Sequence, residues 1–166
     1  MKDESVLIHC EYESERSFDE VVAAVEKAVN FVSNDTFRQI VLASTDAADF
    51  EARVRAVEGP SGFIRFLDVD HGAWMTRIGL KARARLYILG NPVIARTMLK
   101  HELGVGLNVP VRVMIYADPK TGTTRLAYDL PSSLMTRLDN GKVTAAAECL
   151  DEKLEKLARS VTGVEA

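Results

Sequence analysis

Hydrophobic residues recur along the chain with two different spacings, which predict strands and helices in a mixed order. Strict alternation of apolar and polar positions is typical of strands, and recurrence at three and four positions is typical of amphipathic helices. Strands are predicted at residues 5–12, 63–70, 82–89, 109–116 and 123–128. Helices are predicted at about 18–32, from Thr45 or Asp46 to Gly59, from Pro92 onward, and over 131–160 with a break at 139–141.

The order of these elements indicates an α+β fold. Strands that are apolar on one face, a hairpin around the turn at residues 118–122 and interspersed helices are typical of a mostly antiparallel sheet with helices packed on one face. Residues 34–45 fit either a short helical turn or a strand. We expect a single domain over residues 1–166, because no linker or repeat divides the chain.

Two of the predicted strands carry basic and aromatic side chains at alternate positions. In residues 82–89 the alternation puts Lys81, Arg83, Arg85 and Tyr87 on one face and small or aliphatic residues on the other. Arginine, methionine and tyrosine also alternate in residues 109–116. We expect residues 83, 85, 87, 112, 114 and 116 to share a face, which is either solvated, paired with Asp68 and Asp70, or a surface that binds an anion, nucleic acid or protein.

Composition narrows the function classes without selecting one. The chain has 166 residues, a net charge of −3 and 47% hydrophobic residues, as an ordinary globular protein does, and this charge does not favour nucleic acid as a partner. Acidic residues outnumber basic ones by 15 to 7 in residues 1–70, whereas residues 71–101 hold 6 basic and no acidic residues. The chain start lacks a secretory signal and no apolar run is long enough to span a membrane, so we expect a cytoplasmic location.

Gly90-Asn91-Pro92 stands where a strand turns into a helix. Asparagine is a preferred N-cap, and proline is favoured at the first helical position because its missing N–H would be unpaired there. The three residues are therefore explained as a helix start. The alternative is that the free amides of the helix start hold an anion, with Asn91 as an additional donor.

His71 follows two aspartates in Asp68-Val69-Asp70-His71, which raises the question of a metal or a proton-transfer site. On a strand the two aspartates face one way and the histidine the other, and no second histidine is placed to help. We therefore predict no metal site, and Cys10 and Cys149 lack the spacing of metal ligands. His71 remains a candidate pocket residue that donates or accepts a proton.

Several of these features recur together in a known family. The strand before Gly90-Asn91-Pro92, Gly106-Leu107 ahead of Pro110, the strand VRVMIYAD, Tyr128 ahead of Pro131 and the closing helix AECLDEKLEKL resemble the domain of unknown function 302 family over residues 62–160. The resemblance implies a compact α+β domain with a curved antiparallel sheet, similar to half of a TATA-binding protein, and often a dimer. It implies no activity or cofactor. Residues 33–59 look like a helical insertion, and Trp74, Met75 and Val111 depart from the pattern.

Three functions stay open from the sequence. The first is a domain that binds a small anionic or amphipathic ligand at a site lined by His71, Asn91, Arg85 and Tyr87. The second is an enzyme with His71 as general acid or base and Asn91 and the helix amides as anion stabilisers. The third is a nucleic-acid or protein-interaction module that uses the basic sheet face. We expect a homodimer whose arginines pair with the acidic first 70 residues of the partner.

Overall fold

The computed structural model describes residues 4–165, which form six strands and seven α-helices. The strands are β1 (His9–Ser14), β2 (Asn30–Phe31), β3 (Ile64–Asp70), β4 (Ala84–Gly90), β5 (Val111–Ala117) and β6 (Thr124–Asp129). The helices are α1 (Phe18–Ala28), α2 (Asn34–Ala43), α3 (Ala47–Arg55), α4 (His71–Arg77), α5 (Pro92–Leu99), α6 (Pro131–Met135) and α7 (Gly141–Thr162). Short 3₁₀ turns at Leu103–Leu107 and Thr136–Leu138 complete the fold.

Side-chain caps explain where several of these helices begin. The capping box predicted by the sequence is present at α1, where the Ser17 hydroxyl accepts from the Glu20 amide and the Glu20 carboxylate accepts from the Ser17 amide. The ambiguous segment after residue 33 is the helix α2, capped by Ser33. Helix α1 ends at Ala28, earlier than predicted, because residues 30–31 leave the helix to form β2.

All six strands form one sheet in the order β1-β6-β5-β4-β3-β2. Four of the five strand pairs are antiparallel, and only the short β2 runs parallel to its neighbour β3. Helices α1, α5 and α7 pack together on one side of the sheet, where they contact its buried side chains. The α+β fold with a mostly antiparallel sheet and helices on one face, predicted from the sequence, is confirmed.

The register of β4 and β5 corrects the predicted basic sheet face. Tyr87 pairs with Val113 and Arg85 pairs with Ile115, so these four side chains point toward the helices. Residues 112, 114 and 116 alternate with Val113 and Ile115 and therefore lie on the other side of the sheet. The prediction that residues 83, 85, 87, 112, 114 and 116 share one face was wrong. The register of β4 and β5 places Arg85 on the helix side of the sheet and Arg112 on the other side.

Ion pairs within the chain account for the uneven distribution of charge. Arginines of the basic middle segment contact acidic residues of the first 70: Arg83 pairs with Asp19, Arg96 with Glu51, and Arg85 with Glu26, Asp68 and Asp70. The pairing of Arg85 with Asp68 and Asp70 is the alternative that the sequence analysis left open, and these arginines have acidic partners without a second copy of the chain. Sequence-distant segments of opposite charge are brought together by the sheet and by α1.

Helices α2 and α3 are held by a small apolar cluster separate from the main core. Its buried members are Val32, Ile40, Val54 and Ile64, with Phe37, Phe50, Val57, Phe66 and Val93 packed against them. The predicted insertion at 33–59 thus contributes packed structure beside the β3 edge of the sheet. In residues 4–165, no helix is long and apolar enough to span a membrane. Cys10 and Cys149 are both free thiols.

Candidate ligand-binding site

An apolar groove of about 730 Å³ lies between α5, the α2–α3 region and the adjacent ends of β4 and β5. Three half-buried phenylalanines form one wall, and α5 forms the other. The residues that line it are Asn34, Phe37, Phe50, Phe66, Leu89, Gly90, Asn91, Pro92, Ile94, Ala95, Arg96, Met98, Leu99, Lys100, Val109, Pro110, Val111 and Leu150. Its size is that of a pocket for a small organic molecule.

Local backbone features of β3 and β4 shape the floor of this groove. The pairing of the two strands shifts between Arg65 and Leu67, so Phe66 is an extra residue in a β-bulge. Arg65 lies opposite Leu89 on the helix side, so Phe66 points to the other side of the sheet, near Gly90, and its ring meets Phe37 edge-on with centroids 5.6 Å apart. A Cβ on Gly90 would lie 3.4 Å from Phe66 and 3.1 Å from Pro110. Glycine at this position therefore leaves space that any larger residue would fill.

Asn91 is buried at the end of the groove, where both polar atoms of its side chain have partners within the protein. Its Oδ1 accepts from the Val93 amide at 2.8 Å, which confirms the predicted helix cap. Its Nδ2 donates to Glu58 Oε2 at 2.6 Å and to the Gly62 carbonyl at 2.8 Å. Asn91 thus ties α5 to the segment that follows α3, and its amide is committed to that structural role in this conformation.

Two exposed cations line the same groove. Arg96 donates to Glu51 at 3.0 Å across the gap between α5 and α3. Lys100 forms no ion pair within residues 4–165. The groove thus combines apolar walls with one cation, Lys100, that has no ion-pair partner in the described residues.

Arg85 and Tyr87 lie in a different place, in an ion-pair network between α1 and strands β3 and β4. Glu26 of α1 accepts from Arg85 at 2.9 Å and from the Tyr87 hydroxyl at 3.3 Å. Arg65 also contacts Glu26, at 3.3 Å, and Asp68, at 3.1 Å. Burial away from water raises the pKa of Tyr87 to about 12, because the phenolate would be poorly solvated there. The network holds α1 to the sheet.

His71 begins α4 and lies far from Asn91. Its Nδ1 accepts from the Trp74 indole at 3.1 Å, and the two rings meet edge-on. The β3–β4 register places Gly90 opposite Ile64 and Arg85 opposite Asp70, so His71 and Asn91 are at opposite ends of the hairpin. About six residues of strand separate them, or roughly 20 Å. The expectation that His71, Asn91, Arg85 and Tyr87 line one site was therefore wrong, and His71 and Asn91 cannot act on one small substrate.

Comparison with known proteins identifies the family. Residues 38–161 match the family described as Domain of unknown function DUF302. The chain belongs to this family. The crystal structure of an uncharacterized conserved DUF302 protein from Bacillus stearothermophilus is similar in fold, with a TM-score of 0.66 over 92% of this chain and 97% of that one, at 15% identity. No curated protein matched the chain.

The DUF302 match confirms the resemblance found in the sequence but assigns no site. The groove was missed in the sequence, because Phe37 and Phe50 carry the same helical spacing as any core residue. Only the packing of α2–α3 against α5 leaves a space between them. Within residues 4–165 no group of three histidine, cysteine or acidic side chains is arranged to hold a metal ion.

Proposed function

We propose that this DUF302 domain binds a small amphipathic anion in the groove beside α5, without acting on it chemically. The observation that supports the proposal is the combination of three phenylalanine side chains with two cations, Arg96 and Lys100, in one cavity of about 730 Å³. An anionic or amphipathic ligand was one of the functions left open by the sequence, and of the four residues predicted to line its site only Asn91 lines the groove.

The apolar walls favour a ligand with a hydrocarbon body. Phe37, Phe50 and Phe66 are half-buried, so their rings still expose apolar surface to the groove. Covering such surface contributes about 25 cal/mol for each Å² removed from water. An aliphatic or aromatic body of a few carbon atoms would therefore gain most of its affinity from these walls.

The cations favour a carboxylate or phosphate at the other end of the ligand. Lys100 has no internal counter-charge in the described chain, whereas Arg96 is shared with Glu51. An anionic group near both would gain a charge-assisted hydrogen bond from Lys100 and compete with Glu51 for Arg96. Affinity should therefore fall as salt concentration rises.

The groove supports binding better than catalysis. The residues that line it in the described chain include no histidine, cysteine, serine or threonine, and Glu58, which borders Asn91, is already hydrogen-bonded to it. Enzymes that use general acid–base or nucleophilic catalysis need such groups within hydrogen-bond reach of the substrate. His71 stays a candidate for a separate role, which the groove does not involve.

Calorimetric titration with decanoate tests the proposal, with 1-decanol and decylammonium as probes that keep the chain but change the end group. We expect decanoate to bind more tightly than either. Ala95→Phe should fill the groove and weaken decanoate binding at least tenfold. Thr97→Phe, which adds the same ring at an exposed position of α5, is the matched control and should leave binding unchanged. Equal affinity for all three probes, or unchanged binding in Ala95→Phe, would refute the proposal.

We also propose that the domain is a homodimer. Large apolar side chains are more than half exposed at several places, among them Leu67 at 53%, Ile78 at 63% and Leu107 at 80%. Exposed apolar surface of this kind marks interaction sites when it is contiguous. Sedimentation velocity at micromolar concentration tests the subunit number independently of the ligand.

A further inference from the structure

The segment between β3 and β4 exposes three large apolar side chains beside two cations. Trp74, Ile78 and Leu80 are 50%, 63% and 50% exposed. Arg77 and Lys81 are exposed as well, and neither forms an ion pair within residues 4–165. These five residues are here called the α4 patch. They were not part of the site predicted from the sequence.

Helix α4 turns two of the apolar side chains away from the protein. Gly72 is buried, and a Cβ at this position would lie 2.7 Å from the Ala82 carbonyl oxygen, so α4 lies directly against the start of β4. At about 3.6 residues per turn, Trp74 and Ile78 lie on the side of the helix roughly opposite Gly72. Arg77 lies on the same outward side, three positions after Trp74.

The end of α4 turns Leu80 back toward the same surface. Gly79 has a φ of +85°, the Leu80 amide donates to the Met75 carbonyl at 3.0 Å, and the Gly79 amide donates to the Thr76 carbonyl at 3.2 Å. This is a Schellman motif, in which the residue after the glycine typically contacts the last turn of the helix. Leu80 therefore extends the apolar surface that α4 begins.

The charge of the α4 patch is positive and is not compensated within the described chain. Residues 71–82 contain no acidic residue, although the net charge of the chain is −3. The acidic side chains beside this segment have other partners: Asp70 accepts from the Ala73 amide, and Asp19 pairs with Arg83. The two cations of the α4 patch thus remain available to a negatively charged surface.

This combination of side chains favours a lipid surface over a protein partner. Tryptophan is enriched where a membrane meets water, and arginine and lysine can bury their stems while their charges stay among the headgroups. Lysine, in contrast, is depleted in protein interfaces. The Trp74 indole N–H donates to His71 Nδ1 at 3.1 Å, so the ring can leave water without stranding an unpaired donor.

We propose that the α4 patch docks the domain on an anionic lipid surface, with Trp74, Ile78 and Leu80 among the headgroups and Arg77 and Lys81 against their phosphates. The docking is peripheral and reversible, because only a short helix and the turn after it enter the interface. It does not depend on the proposed ligand groove, which lies at the other end of the β3–β4 hairpin. Added salt should weaken it, because salt screens the attraction of the cations to the lipid.

Trp74 is the only tryptophan of the chain, so its fluorescence reports directly on the α4 patch. With vesicles of equal parts phosphatidylcholine and phosphatidylglycerol at low salt, we expect the protein to cosediment and the Trp74 emission to shift to shorter wavelength. Vesicles of phosphatidylcholine alone should produce neither effect.

Matched variants separate the charge and the apolar contribution of the α4 patch. Lys81→Glu should weaken cosedimentation about tenfold. Lys153→Glu changes the net charge equally at an exposed position of α7 outside the patch, and should bind nearly as the wild type does. Ile78→Ser should also weaken binding about tenfold, whereas Leu107→Ser, at a position that is 80% exposed outside the patch, should not. Circular dichroism establishes that each variant is folded.

Three results would overturn the inference: no cosedimentation of the wild type with anionic vesicles, cosedimentation without a shift of the Trp74 emission, or equal weakening by Lys81→Glu and Lys153→Glu. Ala95→Phe separates the α4 patch from the groove, because it should weaken decanoate binding and leave vesicle binding unchanged. Loss of vesicle binding in Ala95→Phe would place the lipid in the groove and overturn docking through α4. Wild-type protein that binds vesicles but not decanoate would overturn the proposed function alone.

Discussion

The two ends of strand β4 use their side chains in opposite ways. At the end near Arg85, the arginine has three acidic neighbours, Glu26, Asp68 and Asp70, and Tyr87 is fully buried beneath this network. At the end near Gly90, the strand opens into an apolar groove, and the nearby cation Lys100 has no ion-pair partner in residues 4–165.

The contrast separates residues that hold the fold from residues that can hold a ligand. Arg85 and Tyr87 have the residue types of a binding site, but Arg85 is engaged by Glu26, Asp68 and Asp70, and the Tyr87 hydroxyl donates to Glu26. The groove walls have the residue types of a core, but packing leaves them partly uncovered. Residue type alone would therefore favour the Arg85 end of β4 as the ligand site. The partners that each side chain has in the folded protein favour the Gly90 end instead.

The largest expected effect concerns Tyr87 at high pH. Its pKa is raised to about 12, above the ordinary value of 10, so its contribution to stability is fully present below pH 10 and is lost as pH rises through 12. A shift of this size corresponds to about 2–3 kcal/mol of unfolding free energy. Denaturant unfolding at several pH values should show this loss, and Tyr87→Phe should remove it. An unchanged pH dependence in Tyr87→Phe would contradict the buried network.

Asn91→Ala tests how much the side-chain contacts of Asn91 stabilise the Gly90 end of β4. We expect a loss of about 2 kcal/mol, because the change removes a helix cap and also leaves Glu58 and the Gly62 carbonyl without their donor. Asn140→Ala is the matched control: Asn140 caps α7 through the Lys142 and Val143 amides only, and its loss should cost about 1 kcal/mol. Equal losses in denaturant unfolding would show that the Glu58 and Gly62 contacts contribute nothing.

Arg85→Met tests whether the ion-pair end is structural. The substitution keeps much of the apolar stem but leaves Glu26, Asp68 and Asp70 with one fewer cation, so we expect a loss of about 1 kcal/mol. Arg53→Met, which breaks an exposed pair within α3, should cost less than about 0.5 kcal/mol. Decanoate affinity should be the same in both variants. A loss of affinity in Arg85→Met alone would indicate that decanoate binds at the Arg85 end of β4.

The smallest effect on stability is expected for Lys100→Met. Lys100 is exposed and makes no ion pair in the described chain, so the unfolding free energy should change by less than about 0.5 kcal/mol. Decanoate should nevertheless bind several-fold more weakly, while 1-decanol should be unaffected. Lys153→Met, an exposed lysine of α7 outside the groove, provides the control. Equal weakening of both probes would show that Lys100 acts through groove shape and not through charge.

The fold was largely predictable from the sequence, whereas the candidate site was not. Strand alternation and the caps at Ser17, Asp46 and Asn91 are local signals, and they located most elements correctly. The face on which Arg85 lies depends on the register of β4 against β5, which is set by pairing between distant segments. The groove depends on the bulge at Phe66 and on how α2–α3 pack against α5, and neither has a local sequence signal.

A map of backbone amide NMR shifts during decanoate titration tests the central claim most directly, because it locates the ligand on the folded protein. We expect the largest shifts along α5 around Ala95 and Leu99 and at the start of β5 near Val111, which form the groove. Residues 85–87 at the other end of β4 should shift little. Largest shifts around Arg85 and His71, or no saturable shifts near Ala95 at millimolar decanoate, would contradict the account.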